Sequence, residues 1–307
     1  MKSRIAAALM AMLFSVAVVD TAAAQDRPDD RRDTATSGTG NARMGRNRER
    51  AEQSPEQILA AATEQAALAN TGCEVTEAKL LGQTAERTSI YEIACSAGPG
   101  YIIESKTPPL ATDCVILATS AEKIRANDPA AEVGPQCTIE RNTDTQGFIR
   151  AYAQQAGVPC TVDQGTVIGK ASDGAVVYEV GCSGEQGYWL KHLNNAWTTT
   201  PCIQVLAESA ACGFTTTEEI AASVKPILAG TEAAACDVTA ARLMGQNANG
   251  MFYEAKCAAG DGFIARVKDG STQQVYPCAT AQQVGGGCTL TPAPAAPAAA
   301  PATTEQQ

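Results

Sequence analysis

The stretch YEVGCSGEQGYW (178–189) decides how this chain is built, because near-copies stand at 91–102 (YEIACSAGPGYI) and 253–264 (YEAKCAAGDGFI). Each copy places a Tyr-Glu pair three residues before a Cys and a Gly-aromatic pair shortly after it. Side chains alternate along a strand, so Tyr178, Val180 and Cys182 share one face while Val177, Glu179 and Gly181 share the other. An aromatic, an aliphatic and a half-cystine together make a core face. The glutamate of each copy (Glu92, Glu179, Glu254) is then expected to point to solvent, as on the open side of an antiparallel sheet.

Working outward from the phrase, the same order of landmarks recurs three times. The segments CEVTEAKLLGQ (73–83), CTVDQGTVIGK (160–170) and CDVTAARLMGQ (236–246) each carry a Gly nine residues after a first Cys, at Gly82, Gly169 and Gly245. The second cysteines are Cys95, Cys182 and Cys257, the third Cys114, Cys202 and Cys278, and the fourth Cys137, Cys212 and Cys288. So many features in one register identify an internal repeat. The first repeat is longer because about 13 extra residues lie between Cys114 and Cys137, a length that predicts a longer helix plus a loop.

A helix precedes each first Cys. Ser54-Pro55-Glu56-Gln57 supplies a cap, a Pro at the first helical position and a capping-box partner. Ile58, Leu59, Ala62, Ala66 and Ala69 then keep a helical period. Phe148, Ile149, Tyr152, Ala153 and Ala156 do the same in the second repeat. In the third, Thr216 and Glu219 form a capping box ahead of Ile220, Val224 and Leu228, and Pro226 is expected to kink or end that helix early. After each first Cys the pattern changes to strands, with hairpin turns at 98–100 (GPG), 172–174 (SDG), 247–250 (NANG), 260–262 (GDG) and 269–270 (DG). The fold class is therefore α+β: three tandem small modules, each a helix plus a three- or four-stranded antiparallel sheet and a short second helix, stapled by disulfides. The modules are read as residues 54–140, 141–215 and 216–291.

The ends read differently. Lys2 and Arg4, an apolar run over 5–19 and Ala22-Ala23-Ala24 describe an export signal over 1–24, and the absence of a Cys just after it argues against a lipid anchor. Residues 25–53 mix Arg and Asp with Gly, Ser and Thr and have no apolar period, so they read as a disordered, solvated linker. Residues 292–307 are a Pro/Ala-rich tail of the same disordered kind. An exported address permits disulfides, and the 12 cysteines fit it. Zinc is the competing use of cysteine. It fails because no C-x-x-C occurs and His192 is the single histidine. A unit of about 70 residues buries only about 60% of its chain surface, and each disulfide adds about 2–4 kcal/mol. The spacings favour first-to-second and third-to-fourth pairing. Four cysteines allow three connectivities, and the other two stay open at this point.

The formal charge is -10, and removing Lys2, Arg4 and Asp20 with the signal takes it to -11. That balance excludes nucleic acid and anionic membrane surfaces as partners, and no segment after the signal is apolar enough to span a membrane. The order helix, Tyr-Glu strand, Gly-aromatic strand resembles two groups of small exported modules. NGMFYEAK (249–256) and KDG (268–270) are similar to the Tyr-Glu strand and DG turn of PepSY domains. The tandem disulfide-bearing α+β units are similar in architecture to secreted β-lactamase-inhibitor proteins. Either resemblance implies a binding or inhibitory module in the envelope, and no functional residue carries over from it.

Catalytic chemistry finds little purchase. A histidine-dependent triad has only His192 to use, four cysteines per repeat leave no thiol over, and no phosphate loop, dinucleotide fingerprint or G-x-S-x-G occurs. The expectation is a non-enzyme with no cofactor and no metal site. The tripled Glu92, Glu179 and Glu254 read either as a row of carboxylates for a partner or cation, or as solvent-facing strand positions. The second reading is favoured, with Lys191 and Arg266 as cross-strand basic partners. The second repeat departs most from the others in GYWLKHLNNAW (187–197), which holds both tryptophans. Trp189 falls on the face that carries Lys191, where Ile102 and Ile264 stand in the other repeats, and either packs modules together or anchors a partner. Trp189, His192 and Trp197 are the candidate binding residues for an exported or envelope protein partner. A purely structural envelope component and an enzyme with a site between modules are the alternatives.

Overall fold

A computed structural model describes residues 53–194 and 196–291. The signal, the tail and all of the linker but its last residue lie outside the described residues. Three four-stranded antiparallel meanders follow one another along the chain. The first contains β1 (Val75–Gln83), β2 (Ser89–Cys95), β3 (Tyr101–Glu104) and β4 (Leu110–Asp113). The second contains β5 (Val162–Lys170), β6 (Val176–Cys182), β7 (Glu185–Leu193) and β8 (Ala196–Pro201). The third contains β9 (Val238–Asn247), β10 (Gly250–Cys257), β11 (Phe263–Lys268) and β12 (Ser271–Pro277). The helices α1 (Pro55–Leu68), α3 (Thr145–Gln155) and α5 (Thr217–Leu228) precede the sheets, while α2 (Cys114–Asn127) and α4 (Cys202–Ala207) follow the first two.

The helix starts are where the caps put them. Ser54 and Gln57 close a capping box on α1, and Thr216 and Glu219 close another on α5. Pro226 does not stop α5 early. It sits in the last turn, where fewer following residues depend on its ring, and the helix runs on to Leu228. Between Cys278 and Cys288 the third module makes turns instead of a helix, with Gly285, Gly286 and Gly287 all at positive φ. That segment departs from the expected second helix because consecutive glycines disfavour helical backbone.

The six disulfides join each first Cys to the second and each third to the fourth: Cys73–Cys95, Cys114–Cys137, Cys160–Cys182, Cys202–Cys212, Cys236–Cys257 and Cys278–Cys288. Among the described residues no cysteine is free. The first bridge of each module ties the start of the first strand to the end of the second. The repeated Gly82, Gly169 and Gly245 sit at register shifts between those two strands, with φ of 152°, 155° and 146°. A residue with a Cβ rarely takes that conformation, so the glycine sets the bulge and the bend of the sheet.

Each inner sheet face is covered by the helix that precedes it, and in the second and third modules also by the previous module. Val115 of α2 belongs to the core of the second sheet with Ile149, Val167, Tyr178, Val180 and Leu190, and Ile116 packs against it. Cys202 and Ile203 of α4 belong to the core of the third sheet with Ile220, Val224 and Leu228. The core of the first sheet is built on Ala62, Ala66, Tyr91, Ile93 and Ile103, all from its own module. The modules are thus chained: the first hands α2 forward and the second hands α4. Val115 is fully buried. Val115→Ala is expected to cost about 1–3 kcal/mol, and to loosen the second module's amides as well as the first's. Residue-resolved hydrogen exchange checks this; an effect confined to the first module counts against the shared core.

Candidate functional site

The three repeated glutamates correct the sequence reading. They do not face solvent: Glu92 and Glu254 are 0% exposed and Glu179 3%. The back of the second strand is covered by the segment that follows the fourth Cys, which crosses it and bonds to the carboxylate. Glu92 Oε1 accepts the backbone N–H of Thr138 at 2.7 Å and of Ile139 at 2.7 Å, and also the Asn142 side-chain amide at 3.0 Å. Glu254 Oε1 accepts Thr289 N–H at 2.7 Å and Leu290 N–H at 2.6 Å, while its Oε2 meets Arg242 Nε at 2.6 Å. Glu179 Oε1 accepts Phe214 N–H at 2.7 Å. Burial pushes the Glu179 carboxyl up, and the Phe214 and Gly213 amides, the Trp189 indole and Lys123 pull it partly back. Lys191 pairs with Asp173 at 2.6 Å, and Arg266 Nε is buried without a partner, so neither serves as the cross-strand base. The repeated Tyr-Glu phrase is therefore a latch: the Tyr packs the front of the sheet, and the Glu holds the chain that crosses its back.

Each latch glutamate lies with the third and fourth cysteines of its module in a group of the kind that holds metals, at Glu92/Cys114/Cys137, Glu179/Cys202/Cys212 and Glu254/Cys278/Cys288. The sulfurs are bonded to each other, and a metal ligand needs the thiolate. The carboxylates already accept backbone amides. The grouping is structural.

The three candidate binding residues separate. Trp189 lies directly across from Glu179 on the back of the second sheet, half-buried, with its indole N–H lacking a well-formed hydrogen bond. Its strand β7 is in contact with α5 of the third module. His192 and Trp197 face the other way. They are cross-strand partners, and their rings stack with centroids 4.4 Å apart. Trp197 also meets Tyr152 at 5.3 Å and Tyr178 at 6.0 Å, and those two tyrosines meet at 5.2 Å.

These rings line a cavity of about 340 Å³ at the junction of the first two modules. The second module contributes Tyr152, Tyr178, His192 and Trp197; the first contributes Tyr101 and Asp113. Asp113 ends β4 and caps α2, its Oδ1 accepting Val115 N–H at 2.6 Å and Ile116 N–H at 3.3 Å. No basic side chain pairs with it among the described residues. Burial pushes its carboxyl up from 3.8 to about 6, against the pull of those two amides. Burial, and after it the Asp113 charge, push up the phenols of Tyr101, Tyr152 and Tyr178. The carboxylate thus sits within electrostatic reach of three phenol groups in a partly closed space.

That arrangement occurs once. In the third module Val267 and Thr272 stand at the places of His192 and Trp197, and Pro201 stands where Asp113 does in the first. Trp197 and His192 were visible in the sequence as departures of the second repeat. Tyr101 and Asp113 were not, because they come from the neighbouring module. The one available signal was Asp113 ahead of Val115 and Ile116, which has the form of a helix N-cap.

The raised carboxyl has a consequence for stability. Native Asp113 keeps its proton at pH values where the unfolded chain has lost it. Stability therefore falls as pH rises from 3.8 to about 6, and the whole cost persists above that window. Asp113→Asn keeps the cap and removes the charge. It is expected to raise stability by about 1–2 kcal/mol at pH 7.5, with the gain gone at about pH 3, below both pKa values. Denaturant unfolding at the two pH values checks this; an equal effect at both pH values contradicts it.

Comparison with known protein families, with curated proteins and with solved structures finds no match for this chain. The resemblance to PepSY domains and to β-lactamase-inhibitor proteins rests on the residues that carry it. The six disulfides indicate an oxidising, extracytoplasmic location. No helix among the described residues is long and apolar enough to cross a membrane.

Proposed function

We propose that the protein is an exported, non-catalytic binding protein of the periplasm or the extracellular space, and that it binds at the junction of its first two modules. The observation that carries this reading is the cavity around Trp197, His192, Tyr152, Tyr178, Tyr101 and Asp113. Features present in all three modules have a folding role: the Gly sets a bulge, the Glu latches a crossing segment, and the cysteines staple. The cavity occurs at one junction alone, and although Asp113 caps α2 and Tyr178 belongs to the second core, neither role calls for an open space between them. Its carboxylate is unpaired and costly to bury, and the rings around it present faces suited to binding. The ligand is free or is carried on an exported protein that this chain inhibits or scaffolds.

The test is native mass spectrometry on the protein purified from its own oxidising compartment, beside the Trp197→Leu variant. Mass in excess of the mature chain, absent from the folded variant, supports the reading. A wild-type protein that carries nothing, and whose melting temperature is unmoved by fractions of the native extract, removes it.

A further inference from the structure

We propose that the cavity between the first two modules is a site for a small organic cation of the quaternary or alkylated ammonium class. The proposal rests on the binding reading above and names the chemistry that would satisfy the site. Four aromatic side chains, Tyr101, Tyr152, Tyr178 and Trp197, line one space of 340 Å³, with the His192 ring stacked on Trp197 at 4.4 Å. Aromatic faces carry partial negative charge and attract a cation whose shell of methyl groups is easily stripped of water. Asp113 adds a negative charge at the same place; Lys170 stands at the rim, and among the described residues no basic side chain is within ion-pair distance of the carboxylate.

The groups that face Asp113 are compatible with that ligand. From β3, α3 and β6 come the phenols of Tyr101, Tyr152 and Tyr178, and none of their hydroxyls makes a hydrogen bond within the described residues. From β7 comes His192, and from the end of β5 comes Lys170, which is exposed at the mouth. The net charge of -10 draws cations toward the surface as a whole. A neutral or anionic ligand would leave the buried carboxylate unanswered. A strongly hydrated metal ion would find one carboxylate and aromatic faces, too few oxygen ligands to replace its water.

The site also predicts how binding responds to acid. The cation needs Asp113 ionised, and burial holds that carboxyl at about 6, so affinity is expected to fall about tenfold from pH 7 to pH 5. A fall of the same size in Asp113→Asn counts against the carboxylate.

The experiment is calorimetric titration of the oxidised mature protein with choline and with tetramethylammonium, beside 3,3-dimethylbutan-1-ol, which has the shape of choline without its charge. Binding of both cations, with the neutral alcohol weaker by about tenfold or more, is the expected result. Asp113→Asn keeps the helix cap and is expected to weaken the cations by about tenfold while leaving the alcohol unchanged. Equal binding of the alcohol, no binding of either cation, or an unaffected Asp113→Asn would overturn the proposal. A native ligand found by mass spectrometry that proves neutral or anionic would overturn it too, while leaving the binding reading intact. A wild-type chain that binds neither these probes nor anything from its own compartment would end both.

Discussion

Glu92→Ala is expected to destabilise the protein by about 3–5 kcal/mol, the cost of stripping the partner from a buried charged hydrogen-bond cluster. Glu92 is 0% exposed and takes hydrogen bonds from Thr138 N–H, Ile139 N–H, the Thr138 hydroxyl and Asn142. Without it, those donors face an empty space that water enters poorly. The crossing segment 137–142 leads directly into α3, so its release also loosens the entrance to the second module. Glu92→Gln separates charge from shape. Its amide oxygen still accepts from the two backbone amides and its NH₂ donates to the Thr138 hydroxyl, so a loss of about 1 kcal/mol is expected. Glu254→Gln is expected to lose more, because Arg242 Nε at 2.6 Å would then face a neutral amide in place of a carboxylate. Denaturant unfolding orders the three variants. Glu92→Ala within 1 kcal/mol of the parent would show that the latch contributes little.

Reduction has the second large effect. The chain that is unfolded, reduced and returned to buffer with reductant is expected to stay unfolded. Each module holds two bridges, and at about 2–4 kcal/mol each they contribute about 4–8 kcal/mol, a large part of the roughly 5–15 kcal/mol that stabilises a small domain. The sheets cannot make up the difference. Each is a meander of four strands with one small core, and the first core includes only two alanines from its covering helix among fully buried residues. Circular dichroism reads the outcome: a cooperative melt in reductant would mean that the cores suffice without their staples. A single pair is more selective. Cys202 is 0% exposed and belongs to the core of the third sheet, so Cys202→Ala with Cys212→Ala is expected to weaken the third module although both residues belong to the second repeat.

Most of the fold was legible in the sequence for a local reason. Cysteine spacing, turn residues and strand alternation act over about 20 residues, and the hairpins they imply are the ones that form. The same short distances favoured the disulfide pairing that forms without excluding the other two connectivities. The latch glutamates were misread because alternation tells which side of a strand a residue takes, but not what covers that side. Glu92 and the amides it binds are 46 and 47 residues apart. No period reports a crossing of that span. Asp113 was missed for a related reason. Its significance lies in Tyr152, Tyr178 and Trp197 of the next module, a meeting set by how α2 seats on the second sheet. Trp197 and His192 could be found as oddities of one repeat; their partners could not.

The disulfide pattern has a consequence for how the chain matures. Every cysteine pairs with its immediate neighbour in the sequence, so no bridge encloses another cysteine. A chain that enters an oxidising compartment N-terminus first meets its thiols in the order in which they must join. An oxidase that simply links each new thiol to the last unpaired one produces the native set, with no intermediate to reshuffle. The helices obey the same order, since α2 is delivered before the second sheet needs it and α4 before the third. The array can be completed from its leading end, one unit at a time, while the rest is still crossing.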